Sequence, residues 1–92
     1  MIKKIYKYEI SPDNIVTLNL PFGAELLSVQ NQNEHVCLWA LVNPKNTVVK
    51  RYFKVFSTGE SINLDVNYDY IGTFQLQNGS LVFHLFEILE SN

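Results

Sequence analysis

The chain has 92 residues and a net charge of −2; 47 % of its side chains are hydrophobic, 13 % aromatic and only 17 % charged. A chain of this length suits one small domain, 1–92, expected to bury about 60–65 % of its unfolded surface and to hold about 5 kcal/mol of stability. The acidic balance and the lack of a Lys/Arg tail make nucleic acid an unfavoured partner. One cysteine excludes an internal disulfide, and no apolar run is long enough to span a membrane.

The pair Lys3-Lys4 mimics the start of a signal peptide. Tyr6-Lys7-Tyr8-Glu9 then stands where its apolar stretch should be, so a cytoplasmic location is expected. Ile5–Ile10 alternates Tyr6, Tyr8 and Ile10 against Lys7 and Glu9, and predicts a strand. Ser11-Pro12-Asp13-Asn14 is turn chemistry. Ile15–Leu20 puts Val16, Leu18 and Leu20 on one face, and Pro21-Phe22-Gly23 ends the run. Glu25–Gln32 predicts a third strand, with Leu27 and Val29 inward and a polar tip around Gln32-Asn33-Glu34. His35–Val42 is apolar on both faces and predicts a central strand covered on both sides. After the turn Asn43-Pro44-Lys45-Asn46, Thr47–Phe56 is a β-branched and aromatic strand carrying Lys50, Arg51 and Lys54. The segment Leu64–Asp69 fits a loop, a short strand or a helical turn.

The strongest local signal comes last. Two β-rich runs, from Tyr70 and from Leu81, flank Asn78-Gly79, the dipeptide that a type I′ hairpin turn favours because both central residues need φ > 0. With that turn, opposing residues are Leu76 and Leu81, Phe74 and Phe83, Gly72 and Leu85 on one face, expected to be core. On the other, Gln75 opposes Val82, Thr73 opposes His84, and Ile71 opposes Phe86. Gly72 marks a bulge, a bend or room for a large neighbour. Ser91-Asn92 is expected to fray. The sum is an all-β chain: a small antiparallel sandwich or barrel of about seven strands with little or no helix.

Chemistry is sparse. His35-x-Cys37 shares a strand face but has no second ligand pair, so no metal site is expected. Cys37 in an apolar run reads as a buried, inert thiol rather than a nucleophile for His35 or His84. Asp65, Asp69, Glu60, Glu87 and Glu90 read as solvating charges. The four glycines are scattered, so no phosphate loop is present. No cofactor and no catalytic residue is expected. The candidate binding residues are Trp39, Tyr52, Arg51, Thr73, Gln75 and His84. They comprise the aromatics and the cation that could meet a ligand, and the polar members of the mixed hairpin face. The plain alternative for that face is a covering loop, with His84 bonding Thr73 or a backbone carbonyl.

The blocks Lys7-Tyr8-Glu9, Pro21–Gln30, Cys37–Val42, Thr58-Gly59, Tyr70–Gln75 and Leu81–Glu87, taken in order, resemble a family of small phage and prophage proteins without an assigned function. The resemblance runs over nearly the whole chain. It implies a bacterial host cytoplasm and a mobile-element gene. By analogy with short phage accessory proteins, the first expectation is a non-enzymatic binding protein that blocks a host factor, such as an anti-defence inhibitor. A second is an oligomeric sponge for a nucleotide signal, with Trp39, Tyr52 or His84 on the base and Arg51 or Lys50 on phosphate. A third is a virion-associated or structural subunit. A homo-oligomer is expected, because a small β-protein has edges to protect.

Overall fold

A computed structural model describes residues 1–89; the expected fraying of Ser91-Asn92, and the carboxylate of Glu90, lie outside that range. Seven strands form and no helix does among the described residues. They are β1 (Lys4–Ile10), β2 (Ile15–Pro21), β3 (Glu25–Gln32), β4 (His35–Val42), β5 (Val48–Ser57), β6 (Tyr68–Leu76) and β7 (Leu81–Ile88). All pairings are antiparallel, in two sheets ordered β1-β4-β3 and β2-β5-β7-β6. The molecule is a small β-sandwich.

Alternation explains the core. Ile10, Val29, Val36, Leu38, Ala40 and Val42 face inward from the three-stranded sheet. Val16, Leu20, Phe53, Val55, Phe74 and Leu85 meet them from the four-stranded one, and all are buried. Leu20, Leu38, Ala40, Phe53 and Leu85 are completely covered. Burying a side chain of the Leu or Phe class contributes about 1.5–3 kcal/mol, so these positions dominate the stability of so short a chain.

Both tight hairpins use left-handed backbone. Asn33 and Glu34 join β3 to β4 with φ of 54° and 65°. At the other hairpin Asn78 and Gly79 have φ of 54° and 87°, and the Ser80 N–H donates to the Gln77 carbonyl at 3.1 Å. Asn78-Gly79 thus has the positive φ expected of a type I′ turn, but Gln77 is left-handed too, at 51°, and the Gly79 N–H donates to the Leu76 carbonyl at 3.2 Å, so the strands end at Leu76 and Leu81. The expected register holds from Gly72–Leu85 to Leu76–Leu81. It fails at Ile71: a bulge between Tyr70 and Gly72 makes Tyr70, not Ile71, the partner of Phe86. A second bulge, between Leu26 and Ser28, corrects the reading of β3. Leu26 turns to the core and Leu27 is left 48 % exposed instead of pointing inward.

The two bulged strands meet. β3 and β6 run side by side where the sheets close on each other. Val29 packs onto the bare Cα of Gly72, the Asn31 side-chain amide donates to the Gln75 carbonyl at 2.8 Å, and the Gln77 N–H donates to Glu34 Oε2 at 3.3 Å. The remaining edges, β1 and β2, are joined by the Ser11–Asn14 turn.

Strand β4 is central, as expected, but no third layer covers its second face. Cys37 is buried there beneath its neighbours, while Trp39 and Leu41 are half-buried. No described helix is long and apolar enough to cross a membrane.

Candidate functional site

The outward face of the β2-β5-β7-β6 sheet collects the chemistry. Register places Thr17, Tyr52, Ile88 and Tyr68 in one row across the four strands, and Ile15, Lys54, Phe86 and Tyr70 in the next. Phe56, His84 and Thr73 follow, then Val82 and Gln75. Four rings interlock. Phe56 meets Phe86 edge to face at 5.5 Å and Tyr68 at 5.4 Å, and Tyr70 leans on Phe86 at 5.3 Å. Lys54 Nζ sits 4.9 Å from the centre of the Phe56 ring. Each aromatic pair adds about 0.5–1.5 kcal/mol beyond area burial, so the rings are rigidly held. Tyr70 nevertheless keeps 55 % of its surface open, and Tyr52, outside the cluster on the same face, keeps 39 %.

The ring of His84 is gripped from both sides. Its Nε2 lies 2.8 Å from Thr58 Oγ1 and its Nδ1 lies 2.9 Å from Thr73 Oγ1, which in turn lies 2.6 Å from the Tyr70 hydroxyl. Thr58 Oγ1 donates to the Val82 carbonyl at 3.4 Å. With its own proton committed to Val82, Thr58 Oγ1 accepts from Nε2–H, and the Nδ1–Thr73 and Thr73–Tyr70 contacts continue the chain. The polar groups of the face are thereby satisfied by one another, and the histidine serves as a strut. Thr58 also starts the connection from β5 to β6. These strands run parallel on either side of β7, so the segment 58–67 must travel back across the sheet. Phe56, although on the outward face, is only 2 % exposed. Tyr68, Phe86 and Lys54 close over it, and His84 does bond Thr73.

Charge on this face is one-sided. Its strand positions carry Lys50 and Lys54 and no Asp or Glu, in a chain whose acids outnumber its bases, 9 to 7. Glu60 and Asp65 belong to the crossing segment, where Glu60 Oε1 accepts the Ser57 N–H at 3.0 Å.

The six candidate binding residues do not form one site. Tyr52, Thr73, Gln75 and His84 share the outward face just described. Trp39 lies on the outward face of the other sheet, between Lys7 and Ser28, on the far side of the molecule. Arg51 points inward. Its Nε donates to Glu87 Oε2 at 2.6 Å, its Nη2 to Glu87 Oε1 at 2.7 Å, and its Nη1 to the Ala24 carbonyl at 2.6 Å. This side-on pair joins β5 and β7 to the segment entering β3. It corrects two expectations: Glu87 is 7 % exposed rather than a solvating charge, and Arg51 is not offered to a ligand. Hydrogen bonding to Glu87 raises the Arg51 pKa above its ordinary value, against a smaller opposing effect of burial. A cleft of about 400 Å³ opens over the pair, but Glu25 and Asp69 line it and would repel phosphate.

Sequence reasoning missed Tyr70, Phe86, Phe56, Tyr68 and Lys54 as one cluster. The usable signal was Gly72. A bulge beside it shifts parity and aligns Tyr68 and Tyr70 with Ile88 and Phe86. Elsewhere, His35 Nδ1 pairs with Glu9 Oε1 at 2.6 Å in the open, and Cys37 is buried. No group of three or more His, Cys, Asp or Glu that could hold a metal occurs among the described residues. The strands of the outward face thus present two half-open tyrosines, two lysines and no carboxylate.

No curated protein and no solved structure matches the chain. A family model does match it, over residues 1–92, and by that match the chain belongs to the family described as a domain of unknown function, DUF7352.

Proposed function

We propose that this chain is a non-enzymatic binding protein that acts by covering a surface of a partner protein, with the outward face of the β2-β5-β7-β6 sheet as its contact. The observation that carries the reading is the pairing of Tyr52 and Tyr70, 39 % and 55 % exposed, with a strand surface that has lysines and no carboxylate. Tyr70, held against Phe86 and Thr73 before binding, loses little entropy on contact, and exposed aromatic side chains are the usual hot spots of interfaces. A partner with an apolar patch and an acidic rim fits this face. The resemblance to phage and prophage proteins supports a bacterial host factor, a defence component included, as that partner.

The test is capture from bacterial lysates with the tagged wild-type chain and with the Tyr52→Ala/Tyr70→Ala variant. The wild type is expected to retain a stoichiometric protein. The variant, still folded by circular dichroism, is expected to lose it, since truncating a hot-spot tyrosine costs about 2 kcal/mol or more. Equal capture by both, or none by the wild type across several host strains, rejects the reading.

One observation favours a second reading, the sequestering of a nucleotide signal: Tyr52 stands between Lys50 and Lys54 on the same face of β5. A base could stack on the ring with phosphate at a lysine, an arrangement in which stacking contributes about 1–3 kcal/mol. Arg51 and Trp39, placed elsewhere, take no part. A thermal-shift panel of cyclic nucleotides decides it; no shift with any member removes this alternative.

A further inference from the structure

The four edge strands differ in how far they are guarded. β3 and β6 lie against each other and each is bent by a bulge. β2 ends in Pro21, which has no N–H to offer. β1 is different. It pairs with β4 over seven residues without a register shift, contains no proline, and leaves its other side without a strand. Ile5 and Tyr6 on it are 61 % and 37 % exposed. A regular, partly apolar open edge is a template for another strand.

We propose that β1 pairs with β1 of a second copy of this chain, antiparallel about a two-fold axis at Tyr8, joining the two three-stranded sheets into one of six strands. Register selects this arrangement. A continued sheet keeps its outward residues outward, so facing residues must share parity. Ile5, Lys7 and Glu9 point outward and Tyr6, Tyr8 and Ile10 toward the core. A two-fold axis at Lys7 sets Lys7 against its own copy, and like charges directly opposed disfavour pairing. An axis at Tyr6 sets Lys7 against Ile5. An axis at Tyr8 sets Lys7 against Glu9 of the second copy, and symmetry makes that pair twice. Tyr6 then meets Ile10 of the second copy. The present partners of the two charges, Gln32 for Lys7 at 3.1 Å and His35 for Glu9 at 2.6 Å, are exposed contacts on the same outward face and do not block the edge. The axis stands perpendicular to the joined sheet. Both four-stranded sheets therefore lie on one side of it, and their lysine and tyrosine faces point the same way.

The test is sedimentation velocity of the full chain over a concentration series, with Lys7→Glu, Glu9→Lys and an equimolar mixture of the two variants. The wild type is expected to show a reversible monomer–dimer equilibrium. Each single reversal opposes like charges twice and is expected to weaken association roughly tenfold or more. The mixture sets opposite charges against each other again and is expected to recover wild-type association. That recovery also shows that both variants are folded. A wild type that stays monomeric at every concentration overturns the proposal. So does a dimer indifferent to both reversals, or a mixture that associates no better than the variants alone.

Discussion

Gly72→Ala isolates the closest approach between the two sheets. A Cβ built at Gly72 lies 2.7 Å from Val29 Cγ1, 3.8 Å from the Val29 nitrogen and 4.0 Å from the Val29 Cβ. Methyl groups ordinarily pack at about 3.5–4.0 Å, so the overlap approaches an ångström. Val29 cannot yield easily: it is 4 % exposed, β-branched, and seated on a strand tied to β6 by the Asn31–Gln75 hydrogen bond. Gly72 itself is not in the left-handed region, so its backbone accepts alanine without strain. With no clash the change would stabilise by about 0.4–1 kcal/mol through the unfolded chain. Overpacking costs about 1–3 kcal/mol, which leaves a net loss of roughly 1–2 kcal/mol. In a domain of this size that lowers Tm by roughly 5–10 °C. Val29→Ala alone is expected to cost about 2 kcal/mol through the cavity it leaves. Together the two changes should cost at least about 1 kcal/mol less than their sum, because the new methyl fills the vacated space. Urea titration of the wild type and the three variants, followed by circular dichroism, measures the cycle. A Gly72→Ala protein as stable as the wild type, or strict additivity with Val29→Ala, refutes the close approach.

Three further outcomes follow, two from the polar interior and one from β1. Glu87→Gln leaves the Arg51 guanidinium without its carboxylate. With the side chains 22 % and 10 % exposed, the cost should fall somewhat below the 3–5 kcal/mol of a fully buried pair, at about 2–3 kcal/mol, and a urea-measured loss under about 1 kcal/mol would contradict it. The joint change Arg51→Met/Glu87→Leu should lose less than Glu87→Gln alone, since no charge is then left unpaired. The Tyr8 phenol is held above its ordinary value of 10.0, chiefly by burial and secondly by neighbouring Tyr6. The neutral phenol is the favoured folded form, so its contribution is whole below the unfolded pKa and is lost as pH rises through the folded one. The urea midpoint should therefore fall more steeply above about pH 10 in the wild type than in Tyr8→Phe, and parallel pH profiles would contradict this.

The amino-acid sequence by itself determined the strands, their turns and most of their faces. Period-two patterning in Val16-Thr17-Leu18-Asn19-Leu20 and the φ demands of Asn78-Gly79 act over a few residues, so they are legible without a fold. The outward aromatic face was legible only in part. Thr73 opposite His84 followed from the turn, but the bulge at Ile71 broke the count before Tyr70 and Phe86 could be matched. Tertiary structure decided the rest. Arg51 looks like any strand cation until β7 brings Glu87 and the chain entering β3 brings the Ala24 carbonyl to the same point. Leu27 reads as core until pairing with β4 inserts a bulge beside it. Gly72 reads as a bulge, a bend or room for a large neighbour, and only β3 shows that the neighbour is Val29. These are contacts between residues 11 to 43 positions apart. No local periodicity encodes them, because they depend on which strands become neighbours and on how two sheets close upon each other.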